Sequence, residues 1–339
     1  MRAAVYRRHG AAAEVLAVEK IDTPEPGPGE VRVRVAVSGV NPTDWKARRG
    51  GRGPMPFAEQ VPHQDGAGVI DAVGPGVDPA RVGERVWLWE AAWQRANGTA
   101  QEFVVLPAAQ AVWLPDAASF DLGAALGIPA LTAHRCLTTF EGAPTTLGPG
   151  TLAGRVVLVA GGAGAVGHAA IELAGWAGAM TIATVSGPEK AALASSAGAE
   201  LVVNYRTGDP AAAIRDRAPD GVDVIVELAP GANARLDQAV LAPAGTIAAY
   251  ATEESGSLDL AVFPLMANNT RYQFVLVYTV PPPAKNQAVL DVSAAVAAGA
   301  LRVGAEAGLP VHRFGLADTA AAQDAVEGGI VGKVLVDVA

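Results

Sequence analysis

The first third of the chain alternates apolar and polar residues over short stretches. At 31–37 valine occupies every second position, which is typical of a strand with one buried face. A turn-forming run rich in proline and glycine precedes it at 24–29. Further β-like segments lie at 68–73, 85–89 and 102–106. We therefore predict a small mixed β domain at the start of the chain.

From about residue 120 the pattern changes to short apolar strands separated by helical stretches rich in alanine and leucine. Strands are predicted at 156–160, 181–185, 201–203, 222–226 and 246–250. Helices are predicted at 166–177, 189–197 and 210–217. Strands that alternate with helices form βαβ units, so this part is predicted to be a doubly wound parallel sheet.

After residue 266 the pattern predicts a strand at 274–278, a break at the prolines 281–283 and a helix at 285–298. The strand at 274–278 is expected at a sheet edge, where it pairs with a second copy of the chain unless the proline loop caps it. A last strand at 333–338 is too distant to pair locally, and we expect it to return to the first domain.

Composition narrows the possible classes of protein. A length of 339 residues, half of them hydrophobic, suggests two domains with sizeable cores. The net charge of −9 gives no general attraction to nucleic acid or anionic lipid. The single cysteine, Cys136, excludes a disulfide framework and is expected to be buried. Neither a secretory signal nor a membrane helix is predicted, so we expect a cytoplasmic, soluble protein.

The strand at 156–160 runs into a glycine-rich turn at 161–167 and then a helical pattern. In this setting backbone N–H groups and a helix N-terminus hold a pyrophosphate. A loop without a ligand is the alternative, but the βαβ units that follow favour a dinucleotide. The residues expected to bind it are Gly161, Ala163, Gly164, Ala165 and Val166.

The end of the second strand of this domain bears on the choice of dinucleotide. An acid that bonds the ribose hydroxyls of NAD normally stands there. Here Ser186 follows the strand and Lys190 lies nearby, so a 2′-phosphate meets no repulsion. Tyr205, after the third strand, adds a hydroxyl. The sequence therefore favours NADPH, although Lys190 could equally be a solvated helix residue.

Short motifs in one order along the chain carry a family resemblance. They are PGPGEV at 26–31, SGVNPTD at 38–44, DGAGV at 65–69, VGERV at 82–86, AALGIPALTA at 124–133, the turn at 161–167 and GKV at 332–334. With them the chain resembles the zinc-independent, zeta-crystallin-like quinone oxidoreductases of the medium-chain dehydrogenase/reductase superfamily. The resemblance implies an α/β fold with the active site in a cleft. It assigns residues 1–124 and 266–339 to a GroES-like mixed β catalytic domain, and 125–265 to a Rossmann NADPH-binding domain. It also implies a homodimer.

By the same resemblance, Asn41 stands where zinc-dependent relatives have a cysteine, and Gln64 where they have a histidine. Neither amide competes as a zinc ligand with thiolate and imidazole, and His63 lies one residue off. We therefore expect no metal, and alcohol oxidation is disfavoured.

The resemblance also implies roles for single residues. Asn41 is the polar contact near nicotinamide and substrate, Asp44 supports it, and Thr132 bonds the cofactor ribose or carboxamide. Lys46 stands where the family often has an aromatic residue; it either bonds an enolate or quinolate oxygen or points to solvent. The remaining cofactor contacts are Tyr250, Ala251, Thr252, Val275 and Leu276, the last two through their backbone.

The sequence thus predicts an NADPH-dependent quinone oxidoreductase that transfers hydride to a conjugated acceptor without metal. A reductase of α,β-unsaturated carbonyls shares this chemistry and stays open, because loops around 45–60, 89–97 and 253–266 would build either pocket. A non-catalytic NADPH-binding protein also stays open, with nucleic acid the weaker choice of partner.

Overall fold

The computed structural model describes residues 1–51, 53–252 and 256–338. Its strands in chain order are β1 (Arg2–Val5), β2 (Ala17–Lys20), β3 (Glu30–Val40), β4 (Asp65–Val73), β5 (Arg85–Leu88), β6 (Phe103–Pro107), β7 (Ala111–Trp113), β8 (Val156–Ala160), β9 (Met180–Val185), β10 (Leu201–Asn204), β11 (Val222–Glu227), β12 (Leu241–Ala249), β13 (Arg271–Phe274), β14 (Val311–Gly315) and β15 (Lys333–Asp337). Its helices are α1 (Ala12–Val15), α2 (Pro42–Arg48), α3 (Phe120–Leu137), α4 (Ala165–Trp176), α5 (Pro188–Ser196), α6 (Pro210–Arg217), α7 (Pro230–Val240), α8 (Val262–Ala267), α9 (Pro282–Ala297) and α10 (Thr319–Glu327).

The chain divides into two compact units. Unit 1 comprises Met1–Ile128 together with the chain from Val311 onward, and unit 2 comprises Pro129–Pro310. Within the described ranges, no helix is both long and apolar enough to cross a membrane.

Unit 1 is built on a mixed sheet with strand order β14-β15-β3-β4-β5-β7, and β6 pairs with β3 beside this path. Val31, Val33 and Val35 of β3 are fully buried, while the arginines between them are more exposed. The predicted alternation is therefore confirmed. Strand β15 pairs antiparallel with β3, beginning with Val334 opposite Val40. The last strand thus returns to the first domain, as expected.

Unit 2 contains a sheet with strand order β10-β9-β8-β11-β12-β13, in which every pairing is parallel. Parallel neighbours need a crossover connection, and helices provide it between successive strands. Leu158, Ile225, Ile214 and Val240 belong to the apolar core of this unit. The order reverses between β8 and β11, where doubly wound sheets open a crevice at the carboxyl ends of the strands. The predicted α/β fold class is confirmed.

The boundary of unit 2 differs from the predicted one, which assigned 266–310 to the first domain. The structure places these residues in unit 2, because β13 extends the parallel sheet beside β12. In addition, α9 carries Asp291, whose carboxylate bonds His134 Nε2 at 2.7 Å and accepts the Leu147 N–H at 2.6 Å. These contacts tie α9 to α3 and to the start of the sheet domain.

The edge strand is also displaced from its predicted position at 274–278. Strand β13 ends at Phe274, and Val277–Thr279 forms a 3₁₀ turn instead. The strand was predicted too late in the chain because residues 274–278 are apolar, whereas the backbone pairing with β12 begins at Arg271.

Candidate functional site

The glycine-rich turn follows β8 in unit 2. Gly161 has a φ of 68°, a conformation that glycine adopts without strain. The N–H groups of Gly161 and Gly162 both donate to the Thr184 carbonyl, at 3.0 and 3.2 Å. A Cβ on Gly167 would lie only 2.4 Å from the Gly161 oxygen. The turn is therefore tight, and α4 starts directly beside β8.

The start of α4 can bind an anion. N–H groups in the first turn of a helix have no acceptor within the helix, and this end carries partial positive charge. Gly164 is the N-cap and has no side chain to occupy these donors, so they suit a phosphate. The structure brings the predicted turn residues together here: Gly161, Ala163, Gly164, Ala165 and Val166.

The ends of β9 and β10 lie side by side at the same edge of the sheet. The Tyr205 N–H donates to the Val185 carbonyl at 3.0 Å, so the backbone of Tyr205 runs beside that of Ser186. Lys190 stands in the first turn of α5. Ser186 and Lys190 are half-buried, and Tyr205 is 46% exposed. The three predicted phosphate-binding residues thus lie at one edge.

The ends of β11, β12 and β13 complete this edge. The Tyr250 N–H donates to the Glu227 carbonyl at 2.9 Å, and the Val275 N–H donates to the Ala249 carbonyl at 2.8 Å. Because the Val275 N–H is already bonded to Ala249, the predicted backbone contacts to a carboxamide are left to the Val275 carbonyl and the Leu276 N–H. A carboxamide needs one acceptor and one donor, which these two groups provide.

A buried pair of carboxyl groups lies at the end of β11 and was not found from the sequence. Glu227 accepts hydrogen bonds from Asn233 Nδ2 at 3.0 and 3.1 Å. Asp237 of α7 is 1% exposed. Burial and the neighbouring Glu227 charge raise the pKa of Asp237 to about 9. Burial also raises the pKa of Glu227, so the site favours the protonated form of both carboxyl groups.

In unit 1 the start of α2 places Asn41 and Asp44 together. The Asn41 N–H donates to Asp44 Oδ2 at 2.7 Å, and the Asp44 N–H donates to the Asn41 carbonyl at 3.0 Å. Pro42 occupies the first helical position, which needs no donor. Asn41 and Asp44 are 3% and 4% exposed. The helix start is therefore fixed by its own side chains.

A cluster of charged and polar groups surrounds the carboxylate of Asp65. Its Oδ2 accepts from Asn41 Nδ2 at 2.7 Å, and its Oδ1 accepts from the Ile128 N–H at 2.8 Å. Lys333 Nζ donates to Asn41 Oδ1 at 2.8 Å and lies 3.6 Å from Asp65 Oδ2. Burial raises the pKa of Asp65 and lowers that of Lys333, while the attraction between the two charges opposes both shifts.

A chain of hydrogen bonds runs beside this cluster. Arg48 Nε donates to Gln323 Oε1 at 2.7 Å, so Gln323 presents its NH₂ group to His63 Nε2 at 3.3 Å. That nitrogen must accept, and His63 therefore carries its proton on Nδ1, which donates to Ser38 Oγ at 2.9 Å. Ser38 in turn bonds Thr99 Oγ1 at 2.7 Å. Burial and the Lys333 charge lower the pKa of His63 to about 3, so its ring is neutral.

The other predicted residues make none of the hydrogen bonds described above. Lys46 is exposed, with Nζ 5.7 Å from the centre of the Trp45 ring. Thr132 is 5% exposed, in the part of α3 that belongs to unit 2. Ala251 and Thr252 follow β12, and residues 253–255 of the predicted pocket loop lie outside the described residues.

Comparisons with known proteins agree with this arrangement. The family described as "Alcohol dehydrogenase GroES-like domain" matches residues 27–116, and "Zinc-binding dehydrogenase" matches 165–305. The chain is 32% identical to the quinone oxidoreductase of Rattus norvegicus over 76% of this chain and 74% of that protein. The chain belongs to the medium-chain dehydrogenase/reductase superfamily. The family resemblance inferred from the sequence motifs is thereby confirmed.

Further relatives extend the comparison. The synaptic vesicle membrane protein VAT-1 homolog of Rattus norvegicus is 32% identical over 67% of this chain, but the match spans only 53% of that relative. The chain thus spans about half the length of these relatives. Two solved structures have TM-scores of 0.81 and 27% identity over 99% of both chains: a quinone oxidoreductase of Pseudomonas syringae pv. Tomato DC3000, and a mycobacterial protein in complex with NADPH.

Some members of this superfamily bind zinc, so the side chains at the corresponding positions of this chain decide whether it can bind zinc. At the two expected ligand positions stand Asn41 and Gln64. Asn41 Oδ1 already accepts the Lys333 ammonium at 2.8 Å, and Gln64 Oε1 accepts the Ala92 N–H at 3.2 Å. An ammonium at that distance repels a second cation at the same oxygen. The residues at these positions do not fit a zinc ion.

Gly167→Ala is expected to weaken dinucleotide binding by about tenfold or more, because the added Cβ forces the turn away from the Gly161 oxygen and overpacking costs about 1–3 kcal/mol. Gly175→Ala, in the same helix, is the matched control. It meets open space and should stabilise the fold by about 0.5–1 kcal/mol without affecting binding. Fluorescence titration with NADPH and thermal unfolding measure both effects. Wild-type affinity in Gly167→Ala would exclude the turn as the binding site.

Proposed function

We propose that the protein is an NADPH-dependent oxidoreductase that transfers hydride to a quinone-like conjugated acceptor without a metal ion. The observation that carries this proposal is the turn at 161–167, at the carboxyl edge of the parallel sheet, beside the point where strand order reverses. Support also comes from the quinone oxidoreductase relatives and from the similar mycobacterial protein in complex with NADPH.

When bound, the reduced nicotinamide supplies the hydride. The chain's part is to hold and orient the reactants. In the proposal, the turn binds the pyrophosphate, while the Val275 carbonyl and the Leu276 N–H hold the carboxamide. Asn41 is the polar contact near nicotinamide and substrate, Thr132 bonds the cofactor ribose or carboxamide, and Asp44 fixes the backbone at Asn41. The segment that lines the rest of the cofactor is Tyr250, Ala251 and Thr252.

The choice of NADPH over NADH rests on the ends of β9 and β10. Ser186 occupies the place where an acid would repel a 2′-phosphate. Lys190 and Tyr205 lie at the same edge, and neither is fully buried. One ammonium and two hydroxyls are the donors that a phosphate monoester accepts.

Lys190→Ala should weaken NADPH binding by about ten- to a hundredfold and leave NADH binding unchanged, because a hydrogen bond to a charged group contributes about 1.5–3 kcal/mol. Lys20→Ala removes the same charge from an exposed position in β2 and serves as the control. Titrations of both cofactors decide the outcome. Equal losses for NADPH and NADH would contradict the role given to Lys190.

The acceptor is tested by NADPH consumption with a quinone and with an α,β-unsaturated ketone. We expect quinone turnover, and we expect it to survive exhaustive chelation because the Asn41 and Gln64 oxygens do not fit zinc. Preference for the enone would favour the alternative reductase, in which Lys46 is a candidate contact to the enolate oxygen. Binding without turnover of either acceptor would favour a non-catalytic role. Loss of activity on chelation, restored by zinc, would overturn the metal-free mechanism.

We also propose a homodimer that forms through the edge of the sheet in unit 2. Strand β13 is the outermost strand of this sheet at one side. Phe274 at its end and Leu276 just after it are 65% and 53% exposed. An apolar edge of this kind is a liability unless it is covered. Tyr278 is only 6% exposed within a single chain, so it does not contribute as the sequence suggested.

Light scattering at micromolar concentration should give twice the monomer mass. Leu276→Asp should shift the protein toward monomer, because pairing would bury the new charge. Leu290→Asp, at a 64% exposed position of α9, is the control and should remain dimeric. A monomeric wild-type protein would contradict the proposed pairing.

The cytoplasm remains the predicted location of the protein.

A further inference from the structure

The buried ammonium of Lys333 has no part in the function proposed so far. Lys333 is 1% exposed, and its side chain ends between Asn41 and Asp65, with the charge of Asp44 also acting on it. Moving an ion out of water costs several kcal/mol, and a buried ion pair often adds nothing to stability over apolar packing. The pair is therefore better explained by its effect on Asn41, the polar residue that hydrogen-bonds both charged groups.

The two charges determine which way the Asn41 carboxamide faces. Its oxygen lies against the Lys333 ammonium and its nitrogen against the Asp65 carboxylate, at 2.8 and 2.7 Å. A reversed amide would set NH₂ against the ammonium and oxygen against the carboxylate. Both hydrogen bonds would be replaced by repulsion. The orientation is therefore fixed by charge, and Asp65 needs only one of the two Nδ2–H groups.

We propose that Lys333 and Asp65 are positioning residues that make the Asn41 side chain a hydrogen-bond donor only, directed to the oxygen of the acceptor. This inference rests on the proposed function. Hydride addition to a carbon of a conjugated carbonyl moves an electron pair onto its oxygen, which then takes a proton from water. The Asn41 N–H stabilises that negative charge as it develops. The ammonium on Oδ1 polarises the amide and strengthens its donation.

A double-mutant cycle tests whether Lys333 acts through Asn41. Lys333→Met should lower kcat by about ten- to a hundredfold and change NADPH affinity by less than about threefold, since a donor to a developing oxyanion acts on the chemical step. Lys333→Arg keeps the charge and should restore much of kcat. In an Asn41→Ala background, Lys333→Met should cause little further loss. Losses that multiply, or wild-type kcat in Lys333→Met, would overturn the proposal.

Two variants separate positioning from folding. Lys333→Met leaves the Asp65 carboxylate buried without its cation, so the neutral pair Lys333→Met/Asp65→Asn is measured beside it and should fold but keep the kcat defect. Lys285→Met removes another buried lysine, 8% exposed in α9, and should leave kcat unchanged. Full activity in the neutral double variant would show that the charges serve folding alone.

A spectroscopic measurement keeps the inference separate from the proposed function. In protein labelled with ¹⁵N-asparagine, the Asn41 side-chain signals are those that Asn41→Ala removes. Their two Nδ2 protons should be widely separated in the wild type, because Asp65 takes one of them, and both should shift upfield in Lys333→Met, because the ammonium no longer polarises the amide. No turnover by the wild type would defeat the proposed function but leave this test intact. Unchanged Asn41 signals in Lys333→Met would overturn the positioning role.

Discussion

The carboxylate of Asp65 is the point on which unit 1 depends, because it joins three segments that are far apart in the chain. It accepts the side-chain N–H of Asn41 before α2 and the backbone N–H of Ile128 in α3, and it faces the ammonium of Lys333 from β15. Pro129 has no N–H, so the hydrogen-bond ladder of α3 is already interrupted beside Ile128. In the same stretch of α3, a side chain from β4 takes the Ile128 N–H. One acid thus fixes a helix start, a helix interruption and a terminal strand.

A second constraint acts at the carboxyl edge of the sheet in unit 2, where the glycine-rich turn lies close to buried acids. A Cβ on Gly161 would lie 2.2 Å from Leu228, the residue after Glu227, so the turn and the acid pair are neighbours. Two ionised carboxylates there would oppose an anionic ligand. Burial raises the pKa of both carboxyl groups, and Asn233 hydrogen-bonds Glu227. Burial of this pair therefore lowers the negative charge beside the turn.

The parts of the fold that follow from local pattern could be predicted, and the parts that follow from distant contacts could not. Strand β8 and helix α6 have the predicted limits because apolar period and proline placement are local signals. Cys136 is buried, as expected, and this raises the pKa of its thiol to about 12. In the sequence Lys333 is distinguished only by the short GKV motif, although its ammonium bonds Asn41. From the sequence, a lysine at the start of an apolar strand is expected to face solvent. Only the pairing of β15 with β3 buries it.

The cation next to Asn41 is an ammonium and not a metal ion, and this limits the chemistry that the groups around Asn41 can support. A metal ion accepts an electron pair from a substrate oxygen, whereas an ammonium nitrogen has four bonds and no vacant position. Lys333 can therefore act only by donating hydrogen bonds and by its field, both of which reach Asn41 first. In the proposed reaction, this group would not bind an alkoxide directly. The proposed acceptor arrives neutral and gains charge on oxygen during the hydride step, and an oriented N–H donor would stabilise that charge most when it appears.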